Sequence, residues 1–177
     1  PVQAAEDLLG LDHIDFKDPD IIAVTGWTTA DLLNAVAVAS PPPTYDAVTL
    51  LIGVNNQFQG RSQSEYKTQF TTLLQQSIAL AGNRPSHVLV LSIPDYSVTP
   101  FAKNLNTTLI ASQIDSFNTI NRTVSASYRV NYLDVTTESR KAGNDPSLIA
   151  GDGLHFSGKE YGVWARLMEP ILKGMLQ

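Results

Sequence analysis

Cysteine is absent from the 177 residues, which excludes disulfides, thiolate catalysis and cysteine-based zinc sites. Long hydrophobic runs are missing too: none approaches the ~18 residues that a membrane-spanning helix needs. Positive charge is scarce and nowhere clustered, with 12 Lys and Arg against 17 Asp and Glu for a formal net charge of -5. That balance argues against a nucleic-acid groove or an anionic membrane surface as partner. The chain also has no linker, internal repeat or low-complexity stretch. It begins at Pro1 with neither an initiator Met nor a signal peptide.

What is present reads as one globular domain spanning 1–177, with 43% hydrophobic and 16% charged residues. Ser, Thr, Asn and Gln supply much of the surface polarity. The composition is that of a soluble protein and leans towards a secreted or periplasmic one. It fixes neither compartment nor oligomeric state. Two Asn-x-Thr sequons, at Asn106 and Asn121, carry no meaning without a secretory route.

Helix and strand signals alternate along the chain. Residues 2–9 read as a helix, and Ile21–Thr25 is a short apolar strand ending at Gly26. Thr28 with Asp31 caps a helix running to Val38. Residues 47–53 form a second apolar strand. Ser62-x-x-Glu65 then opens a long helix with Tyr66, Phe70, Leu73, Leu74 and Ile78 on one face and a stop at Gly82. Residues 87–93 are a third strand, 107–125 a helix and 129–135 a fourth strand. Ser157-x-x-Glu160 caps a last helix that Pro170 should kink. Continuously apolar strands between amphipathic helices predict a parallel sheet covered on both faces, an α/β fold of three αβα layers.

In such sheets ligands bind beyond the C-terminal ends of the strands. The polar candidates fall there: Gly26 after the first strand, Asn55 and Asn56 after the second, Asp152 and His155 after the fourth. Asp152-Gly153-Leu154-His155 places a carboxylate three residues ahead of an imidazole across a glycine turn. The carboxylate can fix the tautomer and leave the other ring nitrogen to take a proton from a nucleophile. Taken singly, each of these is an ordinary turn residue. The rim aromatics Trp27, Phe58, Tyr96 and Phe101 read equally as pocket lining or as half-buried loop residues. His13, His87 and His155 lack metal-ligand spacing, so neither a metal nor another cofactor is expected.

These blocks, in this order, resemble the SGNH or GDSL family of serine esterases and lipases. Val24-Thr25-Gly26-Trp27-Thr28-Thr29 is similar to the block with an oxyanion-hole glycine. Leu51-Ile52-Gly53-Val54-Asn55-Asn56 is similar to the Gly-x-Asn-Asp block, whose first Asn donates to the oxyanion. Asp152-Gly153-Leu154-His155 is similar to the Asp-x-x-His block. The resemblance implies a flavodoxin-like sheet and a carboxylic ester hydrolase acting on a small-molecule ester through an acyl-enzyme. Asp152 and His155 would be its catalytic pair, and Gly26 and Asn55 its oxyanion donors. Position 56 departs from the pattern, being Asn where the family usually has Asp, and is given no role. The Gly-Asp-Ser block is missing, and no Gly-x-Ser-x-Gly occurs either.

The pattern opens on a helix, so the strand feeding that helix is absent as well. In the flavodoxin-like order 2-1-3-4-5 that first strand lies inside the sheet. Its loss would leave two rows of backbone groups unpaired, at about 1–3 kcal/mol each, against a total stability of about 5–15 kcal/mol. The expectation is therefore a strand upstream of Pro1, carrying the nucleophilic Ser at its end. Two alternatives remain. One is a catalytically dead binding protein of the same fold. The other is a flavodoxin-like FMN module that uses Thr25-Gly26-Trp27-Thr28 as a phosphate loop, with Trp27 against the flavin.

Overall fold

The computed structural model describes residues 19–42 and 44–176. The helix expected at 2–9, and His13, lie outside the described residues.

Three parallel strands form the sheet: β1 (Val48–Leu50), β2 (Val88–Leu91) and β3 (Asn131–Leu133), in the order β1-β2-β3. Val48 pairs with Val88, and Leu89 with Asn131. The central strand is buried along its whole length, and its period-two alternation sorts its side chains onto two faces. Val88 and Val90 enter one core, while Leu89 and Leu91 enter another. The first core is filled from α1 (Thr29–Ala39), α3 (Gln63–Leu80) and α4 (Thr107–Ser127) by Leu32, Tyr66, Phe70, Leu74, Ile114 and Phe117. The second is filled from α6 (Gly158–Leu176) by Trp164 and by Ala165, Met168, Leu172 and Met175, the last four spaced three or four apart as one helix face requires. Layers of helix, parallel sheet and helix follow, as the sequence predicts.

The helix starts are set by the residues read as caps. Thr28 accepts from the Asp31 N–H, while the Asp31 carboxylate accepts from the Thr28 N–H, a complete capping box. Ser62 accepts from the Glu65 N–H at 3.1 Å. Asn106 caps α4 by accepting from the Leu109 N–H. Asn121, the other sequon residue, is buried and accepts from the Tyr66 hydroxyl. The last helix is continuous through Pro170, which is exposed.

One departure is the strand expected at 21–25. Residues 21–24 hold no regular structure, and 25–26 form a turn. Ile21 and Val24 are exposed, while Ile22 packs on the first core. The expected order sets a further strand between this segment and β1, and among the described residues none lies there. An extended run without a lateral partner has no ladder to join. The observed β1-β2-β3 is the 3-4-5 part of that order.

Candidate active site

After β3 the chain makes a one-turn helix, α5 (Thr136–Ser139), and two 3-10 turns before folding back on itself between residues 149 and 156. Arg140 anchors this passage. Its guanidinium donates to the buried Asp95 and to Asp115, both at 2.8 Å. The fold-back is closed by Ala150 N–H donating to the His155 carbonyl at 2.8 Å and Gly153 N–H donating to the Ala150 carbonyl at 3.0 Å.

Inside that turn Asp152 uses both oxygens. One accepts the N–H groups of Leu154 and His155, each at 2.9 Å, and the other meets His155 Nδ1 at 2.7 Å. The Leu154 N–H, then the His155 ring and the His155 N–H, hold the Asp152 carboxyl down at about 2. An ionised carboxylate only accepts, so the proton between the two resides on Nδ1. The side chains are 54% and 51% exposed for His155 and Asp152, so the imidazole faces open space. On either side of His155, Leu154 packs on the first core and Phe156 sits in the second.

The other half of the site follows β1. Gly53 caps a short helix, α2 (Val54–Phe58), at φ +128°. A Cβ there would come within 2.7 Å of Ile93 Cδ1 and of the Tyr66 ring, so only glycine fits. The helix presents Asn55, whose amide donates to the Trp27 carbonyl at 3.0 Å and keeps a second N–H. Gly26 sits at φ +90° in the turn closed by Trp27 N–H to Val24 O, with nothing within 4 Å of where a Cβ would be. Gln59 donates to the Gly26 carbonyl at 3.4 Å. Asn56 is fully buried. It accepts the Thr29 N–H at 2.9 Å and donates to Thr29 Oγ1 at 2.7 Å.

Asp152 and His155 are in direct contact, and Asn55 is tied to the residue after Gly26 through the Trp27 carbonyl. Aromatics link the two segments. Phe58 lies 6.0 Å from the Tyr96 ring and 6.2 Å from Phe101, whose N–H donates to the Gly153 carbonyl at 2.9 Å. Among the described residues, no serine hydroxyl hydrogen-bonds to His155, and no three His, Asp or Glu side chains are grouped as metal ligands would be. Two surface concavities, of about 710 and 270 Å³, run along α4 and include none of the four site residues.

A profile of the GDSL-like lipase/acylhydrolase family matches residues 2–163. The chain belongs to that family. Two solved structures share its fold. An acetyl xylan esterase superposes with a TM-score of 0.70 at 14% identity, over 99% of this chain and 89% of its own. A lipase/acylhydrolase from Enterococcus faecalis superposes with a TM-score of 0.67 at 18% identity, over 99% of this chain and 85% of its own. No curated protein sequence matches significantly. As a GDSL-like acylhydrolase the protein is of a hydrolase family whose substrates are small esters. Among the described residues, no helix is long and apolar enough to cross a membrane.

The geometry counts against the phosphate-loop alternative. The donors at the start of α1 are taken by the Asp31 carboxylate and by Asn56, and a bound phosphate would face the negative charge of Asp31. Sequence reasoning gave Asn56, Gln59 and Arg140 no part in the site. The signal for Asn56 was its place directly after Asn55. Its partner Thr29, 27 residues away, left none.

Proposed function

We propose that the protein is a serine esterase hydrolysing short-chain carboxylic esters, sugar O-acetyl or lipid esters among them. The observation that carries this reading is the 2.7 Å contact of Asp152 with His155 Nδ1 on an exposed imidazole. The nucleophile is a serine at the end of a strand upstream of Pro1. Its Oγ attacks the ester carbonyl as its proton passes to His155 Nε2. Asp152 holds the ring and stabilises the imidazolium. The tetrahedral oxyanion is met by the Gly26 N–H, the second amide N–H of Asn55 and the serine's own N–H. Collapse expels the alcohol, protonated by His155, and a water then repeats the sequence on the acyl-enzyme. Phe58 and Phe101, 55% and 45% exposed beside the site, form an open wall rather than a tunnel, which suits a short acyl group.

A fluorophosphonate probe on the full-length protein tests the reading. The expected result is one covalent adduct on a serine preceding residue 1, lost in His155→Ala, together with hydrolysis of 4-nitrophenyl acetate. A folded full-length protein that takes no probe would instead be a binding protein on an esterase fold.

A further inference from the structure

Asn56, which the family pattern leaves without a purpose, lies where the two oxyanion-bearing segments meet. Gly26 belongs to the turn before α1 and Asn55 to α2, far apart in sequence. Three side chains from α2 and its end brace the two segments, gripping the 26–29 stretch at Gly26, Trp27 and Thr29. Gln59 donates to the Gly26 carbonyl, Asn55 to the Trp27 carbonyl, and Asn56 both accepts from and donates to Thr29. The first is long and exposed, and the second is half-buried. Only the Asn56 clamp is sealed from water. We infer that Asn56 is a positioning residue that sets the spacing of the Gly26 and Asn55 oxyanion donors, an inference that rests on the esterase reading above.

The same geometry explains why an amide and not a carboxylate stands at position 56. Each hydrogen bond in the row has a fixed direction. The Asn56 amide donates to Thr29 Oγ1, the Thr29 hydroxyl donates to Gln69 Oε1, and the Gln69 amide donates to Glu65 Oε1 at 3.3 Å. A carboxylate at 56 would claim the Thr29 hydroxyl proton for itself. Gln69 would then have to turn its amide towards Thr29 and its oxygen towards the Glu65 carboxylate, acceptor against acceptor. A donor at position 65 would relieve that clash and run the row in the opposite direction. Asn56 and Glu65 therefore form a matched set: amide then acid here, acid then amide as the only other consistent arrangement.

The test uses the full-length protein with Asn56→Ala, Asn56→Asp and the double variant Asn56→Asp/Glu65→Gln, which leaves the formal charge unchanged. Ester turnover is read as kcat and KM separately, and exchange of the Thr29 backbone N–H is followed by NMR. Misplacing a reacting geometry by an ångström can cost about 10²-fold in rate. Asn56→Ala should accordingly lower kcat between about 10- and 100-fold with KM little changed, and speed exchange at Thr29 but not in β2. Asn56→Asp should lose kcat as well, and adding Glu65→Gln should restore most of it. A folded Asn56→Ala protein with unaltered kcat would overturn the inference. So would a double variant no better than Asn56→Asp, or unaltered Thr29 exchange in Asn56→Ala. Full-length wild-type protein that hydrolyses no ester would instead overturn the esterase reading, and the catalytic part of this inference would fall with it.

Discussion

Asp152 holds the His155 ring at Nδ1, and the Leu154 N–H and the His155 N–H hold the carboxylate in turn. Asp152→Asn should therefore keep the turn's shape but present a donor or a weaker acceptor to Nδ1, and the ring would no longer be held as the base. Turnover of the full-length protein should fall about 10³–10⁴-fold with KM nearly unchanged, as measured by steady-state kinetics on a short-chain ester. The pH profile carries the same logic. With Asp152 held at about 2, its carboxylate stays ionised and kcat/KM should show no acid limb from it between pH 3 and 5, on the order of the ordinary carboxylate range. A limb there would mean that Asp152 is not seated on His155 as described.

Among the elements, α2 is the one that carries Asn55, and Gly53 decides whether it can form. Gly53→Ala must push a methyl into the buried Tyr66 ring and Ile93 while adopting a backbone conformation that alanine resists. Overpacking alone costs about 1–3 kcal/mol, and in a domain of this size each kcal/mol lowers Tm by about 2–4 °C. A thermal melt of Gly53→Ala should show a fall of several degrees, with activity lost as Asn55 moves. This position also marks how far the sequence could be read. Strands 47–53, 87–93 and 129–135 were visible as apolar runs, and Thr28, Ser62 and Ser157 as caps, because those signals are local. The Asp152–His155 contact was visible for the same reason: its partners are three residues apart. What was hidden is non-local. The tie from Asn56 to Thr29 spans 27 residues, and the one from Arg140 to Asp95 spans 45. Residues 21–25 looked like a strand because they are apolar, yet strand structure needs a neighbour that no property of the segment itself records.

At the scale of the whole molecule, acid is the natural stress. Asp152 and Asp145 are both held at about 2, the first by the contacts above, the second by the Ser147 hydroxyl, Lys159 and the Ser147 N–H. A carboxyl depressed in the folded state adds stability that is fully present above its unfolded value of 3.8 and is lost as the pH falls towards 2. Tm should thus change little through these two groups between pH 7 and 5 and drop below about pH 4. Replacing Asp145 by Asn should flatten part of that drop in a series of melts, and an unchanged acid limb would remove Asp145 from the account.

His155 sits between Leu154, packed against the core on one side of the sheet, and Phe156, buried in the core on the other. The proposed base is therefore fastened to both layers at once and borrows its place from whichever is weaker. On warming, catalytic output should fade with the first layer to loosen, ahead of global melting. Evolution or an engineer wishing to retune the heat tolerance of this protein would have to reinforce both layers together, since strengthening one alone leaves the histidine tied to the other.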